Sequence, residues 1–203
     1  MAPTDSYSCW LSSLFVAPLL ALGLLHTALA QDNASVRVAV EAQRTPLIAT
    51  MGELVSIESG SRDPEGLRTL ATLLVDRFRG LGADVELVSH NTPYVMVDTP
   101  PEIGQSVVAR FRGRGQGRVL LLAHMDTVYQ RGQLADQPFR VDDDRAYGLG
   151  IADDKQGVAL IIHTLENRTC SVREVEVFTN NSSEYGGVFQ RDRLANRSTA
   201  GVR

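Results

Sequence analysis

Leu120-Leu121-Leu122-Ala123-His124-Met125-Asp126 is an unbroken apolar run that stops abruptly at a histidine and an acid. A short continuous apolar run without helical spacing is expected of a buried central strand. Extended backbone sends residues two apart to the same side, so His124 and Asp126 should emerge together where the strand ends. A carboxylate on the far nitrogen of an imidazole is common as a plain structural pair. It is also how a metal-binding histidine is held in one tautomer.

Downstream, Gly148-Leu149-Gly150-Ile151-Ala152-Asp153-Asp154-Lys155 puts two adjacent acids at the mouth of a helix expected over 154–165, with Val158, Ile161, Ile162 and Leu165 inward. The positive end of a helix favours carboxylates, so a simple cap is one reading of this pair. A strand expected over 172–179 precedes Asn180-Asn181-Ser182-Ser183-Glu184-Tyr185-Gly186-Gly187, where Glu184 is a candidate ligand or a solvated loop acid. Glu166 and Glu174 stand at no such strand exit and read as solvated acids. A histidine and carboxylates at the ends of successive strands supply the nitrogen and oxygen donors that zinc accepts.

Upstream, apolar residues from Val36 and Val40 through Leu47, Met51, Leu54, Val55 and Ile57 fall at helical spacing, interrupted at Pro46 and ending near Ser59-Gly60. Asp63-Pro64 is a helix entrance with Asp63 as N-cap, and Gly80 and Gly82 close that helix before a strand over 84–89. Strands over 106–111 and 118–123 flank Arg112-Gly113-Arg114-Gly115-Gln116-Gly117, which reads as a β-hairpin loop. A nucleotide-binding reading of these glycines fails because a strand, not a helix, follows them. Phe139 to Asp142 is a further short strand and Asp144-Arg145 a turn. The order of elements gives an α/β fold, a three-layer sandwich with a mixed sheet.

The chain has 203 residues, 43% hydrophobic and 22% charged, enough for one compact core. With 20 basic against 24 acidic residues and no long run of one sign, it offers no footprint for a phosphate backbone, which excludes nucleic acid as a partner. Leu11 to Leu25 is an apolar run followed by Ala28-Leu29-Ala30, so residues 1–30 read as a signal peptide and residues 31–203 as the mature part, secreted or periplasmic. No membrane association is expected after cleavage. The alternative is an uncleaved anchor over Leu11 to Ala30. Cleavage leaves Cys170 as the lone cysteine, a structural thiol in a polar stretch rather than a nucleophile.

These residues resemble the metallopeptidases of clan MH, family M20, and within it the bacterial glutamate carboxypeptidases of the carboxypeptidase G type. The likeness runs through Leu54-Val55-Ser56-Ile57-Glu58-Ser59-Gly60, Ala123-His124-Met125-Asp126-Thr127-Val128-Tyr129, Pro138-Phe139-Arg140-Val141, Ala146 to Lys155, and His163-Thr164-Leu165. The resemblance implies a zinc-exopeptidase catalytic domain, of the phosphorylase/hydrolase-like fold, present here in its N-terminal part. It implies two zincs per intact site, with His124 binding one, Asp153 bridging both through an Asp153-Asp154 cis peptide, Glu184 as a ligand, and Asp126 orienting His124 as the catalytic-site acid.

It further implies a small peptide or N-acyl amino-acid substrate, release of C-terminal glutamate from folate-like compounds, and dimerisation of intact relatives through a domain missing here. The sequence departs from the family pattern in three places. Ser183 stands where the general-base glutamate is expected, Gln156 replaces a glycine, and the connection after Leu165 is about four residues short. A noncatalytic secreted remnant that binds metal, ligand or a protein partner is the alternative.

Overall fold

The computed structural model describes residues 34–89, 102–166 and 174–180. Residues 1–30, expected to be a signal peptide, and Cys170, Ser183 and Glu184 lie outside the described residues. Among the described residues, one unit ends at Thr45 and another begins at Pro46. In the first unit residues 34–42 are helical (α1), with Val36, Val38 and Val40 exposed.

Helix α2 spans Arg44–Val55 and carries Pro46 in its first turn, where a missing N–H costs nothing. It stops short of the expected Ser59-Gly60, because those two residues are drawn off to pair with the segment after His124. Helix α3 spans Pro64–Gly80 and is capped by Asp63, whose side chain accepts from the Gly66 N–H. Its buried face is Leu67, Leu70, Leu74, Val75 and Phe78.

Four strands form one mixed sheet: β1 (Asp84–Val88), β2 (Ser106–Arg112), β3 (Arg118–His124) and β6 (Glu174–Asn180), in the order β1-β2-β6-β3. β6 runs antiparallel to β2 and parallel to β3. This overturns two expectations. β2 and β3 do not form a hairpin, because β6 is inserted between them and takes both sets of ladder hydrogen bonds. β3 is not central either: among the described residues it lies at the sheet edge, with Leu122 48% exposed and Ala123 buried. Two short strands, β4 (Arg140–Asp142) and β5 (Arg145–Tyr147), form a separate hairpin, with Asp143 at its turn in the left-handed region at φ 54°. The second strand of that hairpin gives no signal in the sequence.

Period-two alternation divides the sheet into two faces. Val107, Ala109, Phe111, Val175, Val177 and Ala123 pack on one side with Leu54 of α2, the inner face of α3, and Val158, Ile161, Ile162 and Leu165 of helix α4 (Gln156–Glu166). Phe78 meets Phe111 edge to face at 6.4 Å between ring centres. Val88, Val108 and Phe178 form a smaller cluster on the other face. The helix expected from 154 begins at Gln156. Before it, Ile151–Lys155 makes one wider π-type turn in which Asp153 and Asp154 depart from helical angles. Among the described residues, no helix is long and apolar enough to cross a membrane.

Candidate metal centre

Because β3 and β6 are parallel, their final residues, His124 and Asn180, are register partners, and both strands open on the same edge of the sheet. Parallel sheets collect functional groups at this carboxyl end.

The residues after β3 are clamped by those after α2. Thr127 N–H donates to Ser59 O at 2.8 Å, Ser61 N–H donates to Thr127 O at 2.9 Å, and the Ser59 hydroxyl donates to Met125 O at 2.8 Å. Such an approach requires glycine between the serines, since a Cβ on Gly60 would sit 2.3 Å from the Tyr129 carbonyl oxygen. Gly150, at φ 71°, makes a similar approach: its Cβ would lie 2.3 Å from the Thr127 methyl.

This scaffold fixes the imidazole of His124 between two acids. Nδ1 faces the Asp126 backbone oxygen at 3.1 Å and carboxylate Oδ1 at 3.2 Å; Nε2 faces Asp153 Oδ1 at 2.9 Å. Asp126 is buried and its Oδ2 accepts from the Ser61 hydroxyl at 2.7 Å, whereas Asp153 is 82% exposed and points outward. The Asp126 carboxylate beside Nδ1 raises the His124 pKa to about 9; burial opposes this and Asp153 adds to it. In the metal-free chain at neutral pH the ring is therefore an imidazolium donating on both sides.

The Asp153-Asp154 peptide is cis. The two carboxylates part: Asp153 meets His124 Nε2, while Asp154 Oδ2 accepts from the His124 backbone N–H at 3.4 Å. Asp154 occupies the space that a side chain at residue 157 would need, 2.4 Å from where a Cβ on Gly157 would be. Lys155, the next residue, is buried and donates through Nζ to the carbonyl oxygens of Leu54 and Ile57 at 2.9 and 2.6 Å. Leu54 is in the last turn of α2, the negative pole of the helix, and Ile57 lies just beyond it. Glu58 completes the frame by accepting from the Gly132 and Leu134 N–H groups at 2.7 and 3.1 Å.

Of the residues singled out in the sequence, His124, Asp126 and Asp153 are thus brought together, and Glu184 lies outside the described residues. Among the described residues, no three His, Cys, Asp or Glu side chains form a metal-holding group. Sequence reasoning missed the supporting roles of Ser61, Asp154 and Lys155. The signal available was the pair of small hydroxyl residues around Gly60 directly after a helix.

Residues 120–179 match the sequence profile of peptidase family M20/M25/M40. The chain is 40% identical over 172 residues to carboxypeptidase G2 of Pseudomonas sp. (strain RS-16), covering 82% of this chain and 39% of that protein. The chain belongs to peptidase family M20. It is also 33% identical over 129 residues to the acetylornithine deacetylase of Shigella sonnei (strain Ss046), covering 60% of this chain and 31% of that protein.

Among solved structures, human carnosine dipeptidase 1 aligns with a TM-score of 0.61 at 20% identity, over 76% of this chain and 36% of that one. The dipeptidase Dug1p of Saccharomyces cerevisiae aligns with a TM-score of 0.62 at 18% identity, over 83% of this chain and 38% of that one. At these identities the likeness concerns the fold, a mixed α/β peptidase domain. The chain spans about two fifths of the length of these relatives. M20 members are metal-dependent hydrolases.

The donor set here fits such an ion. An imidazole nitrogen and a carboxylate oxygen face each other at its outer side, and a buried carboxylate backs the opposite ring nitrogen.

Proposed function

We propose that this chain carries the metal-binding front of a zinc carboxypeptidase that releases C-terminal glutamate from folate-like, N-acyl or peptide substrates. The observation that carries this reading is the 2.9 Å approach of His124 Nε2 to Asp153 Oδ1, with Asp126 behind the ring. The 40% identity to carboxypeptidase G2 supports the substrate class.

His124 and Asp153 would hold zinc, with Glu184 from the segment after β6 as a further ligand and Asp153 shared between two ions. Bound zinc would supply a Lewis acid that polarises the scissile carbonyl and makes water more acidic. Asp126 keeps the His124 ring in one orientation, with Nε2 turned outward. Loss of the Nε2 proton leaves that nitrogen free as a ligand. Asp154 holds the strand end by accepting from the His124 N–H, so the two acids of the cis pair have separate tasks.

Ser183 stands at the general-base position. A serine hydroxyl cannot accept a proton from water near neutral pH as a glutamate can, and loss of a positioned base lowers rates by about 10²–10⁴-fold. This one residue favours a second reading, a noncatalytic protein that keeps the metal site. The apolar run over Leu11 to Leu25 and the Ala28-Leu29-Ala30 site support export to the periplasm or medium in either case.

The test joins the C-terminal part of carboxypeptidase G2 to this chain, with Ser183 retained or replaced in Ser183→Glu, and measures glutamate release with and without a chelator. Zinc-dependent release from the Ser183→Glu chimera, lost in His124→Ala, is expected. Absence of release from both chimeras contradicts the peptidase reading. Metal binding with no gain from Ser183→Glu favours the noncatalytic one.

A further inference from the structure

We infer that Ser61 is a positioning residue for the metal centre, acting through Asp126 on His124; the inference rests on His124 being a metal ligand. The carboxylate of Asp126 is buried, and its two oxygens have different surroundings. Oδ2 accepts the Ser61 hydroxyl proton at 2.7 Å. Oδ1 is buried with no hydrogen bond of acceptable geometry and lies 3.2 Å from His124 Nδ1. Ser61 therefore holds one oxygen and leaves the other to face the imidazole.

The hydroxyl has a choice of acceptors, since the Thr127 carbonyl oxygen is also within reach at 3.1 Å. A hydrogen bond to an ionised acceptor is shorter and about twice as strong as a neutral one, so the proton belongs to Asp126. Ser61 itself cannot drift. Its N–H is tied to Thr127 O at 2.9 Å, and Gly60 pairs with Thr127 in a parallel bridge. The hydroxyl that steadies Asp126 is thus mounted on the same backbone clamp that fixes residues 125–127. Without it, a buried carboxylate oxygen loses its donor and the carboxylate is free to turn about its Cβ–Cγ bond, taking the ring-facing oxygen with it.

The experiment uses the full chain and zinc itself. Zinc affinity is measured by competition with a chromogenic chelator for wild type, Ser61→Ala, Ser61→Thr and His124→Ala, alongside metal-free thermal unfolding of each. Removing a partner of a liganding histidine lowers metal affinity about 10–100-fold, and Ser61→Ala is expected near the lower end of that range. Its metal-free melting temperature should fall by no more than a few degrees, the effect of one buried acceptor without its donor, and Ser61→Thr, which keeps the hydroxyl, should retain most of the affinity.

Wild-type affinity in Ser61→Ala, while His124→Ala loses zinc, overturns the inference and leaves the metal reading standing. So does an equal loss in Ser61→Thr, or a metal-free Ser61→Ala chain that melts well below wild type, since either marks a packing role. Equal zinc affinity in wild type and His124→Ala overturns both.

Discussion

The ammonium of Lys155 lies 2.6 Å from the carbonyl oxygen of Ile57, joining the turn that carries Asp153 and Asp154 to the end of α2. Lys155 is the only lysine in the sequence, and it is buried. Burial lowers its pKa to about 8, with Glu58 opposing the shift. The folded value is below the unfolded one, so the folded chain binds fewer protons between the two. The cost of burying the charge is present below about pH 8 and is relieved as pH rises toward the ordinary lysine value. The metal-free stability of wild type minus that of Lys155→Met is expected to grow across that window, by at most about 3 kcal/mol. Urea unfolding at several pH values checks this, and a flat difference contradicts it.

Asp63 both caps α3 and anchors the loop after β3. Its Oδ1 accepts from the Gly66 N–H at 3.1 Å, and Arg131 grips both oxygens at 2.9 and 2.7 Å. Arg131 above all, with the Gly66 N–H, holds the Asp63 carboxyl below the ordinary carboxylate range. A lowered pKa means the contribution is present above the unfolded value and lost as pH falls through the folded one. Asp63→Ala should cost about 1–2 kcal/mol at neutral pH, the usual worth of an N-cap, and flatten the acid limb of stability. Asp63→Asn, which keeps the cap, should lose less. Denaturant titrations at neutral and acid pH would reveal both effects; an Asp63→Ala chain as stable as wild type would refute the assignment.

Gly150 and Thr127 meet so closely that their substitutions should be coupled. Gly150→Ala places a methyl 2.3 Å from the Thr127 Cγ2 and a side chain on a residue at φ 71°. Overpacking of this kind costs about 1–3 kcal/mol. Thr127→Ser removes the struck methyl, so the double variant should recover part of the loss while the left-handed strain, about 1 kcal/mol, remains. Strictly additive losses in a thermal-unfolding cycle would show that the two positions do not touch.

How much of this was legible follows from range. The apolar run ending at His124, the Asp63-Pro64 entrance and the inward face of α4 were readable because local spacing and capping chemistry determine them. The place of β6 between β2 and β3 was not, since strand order is settled by packing between residues far apart in the chain, and a glycine-rich loop looks the same whether it turns a hairpin or crosses a strand. The early end of α2 was hidden for a related reason: Ser59 and Ser61 bond to Met125–Thr127, and Lys155 takes the carbonyls of Leu54 and Ile57. In the site, His124 and Asp126 stood out where an apolar strand ends, and Asp153 at the mouth of a helix. Ser61 reaches Asp126 from far along the chain, and Lys155 reaches back to the carbonyls of Leu54 and Ile57; local spacing determines neither contact, and the two serines around Gly60 were the one hint.

The central claim is that His124 Nε2 and Asp153 share a divalent ion. Zinc-edge X-ray absorption on the full chain tests it most directly. An imidazole nitrogen at about 2.0–2.1 Å from zinc, together with carboxylate oxygen, is expected in wild type, with the imidazole signal lost in His124→Ala and the zinc affinity lowered in Asp153→Asn. Zinc held by sulfur at about 2.3 Å, or an imidazole signal unchanged in His124→Ala, would contradict the account.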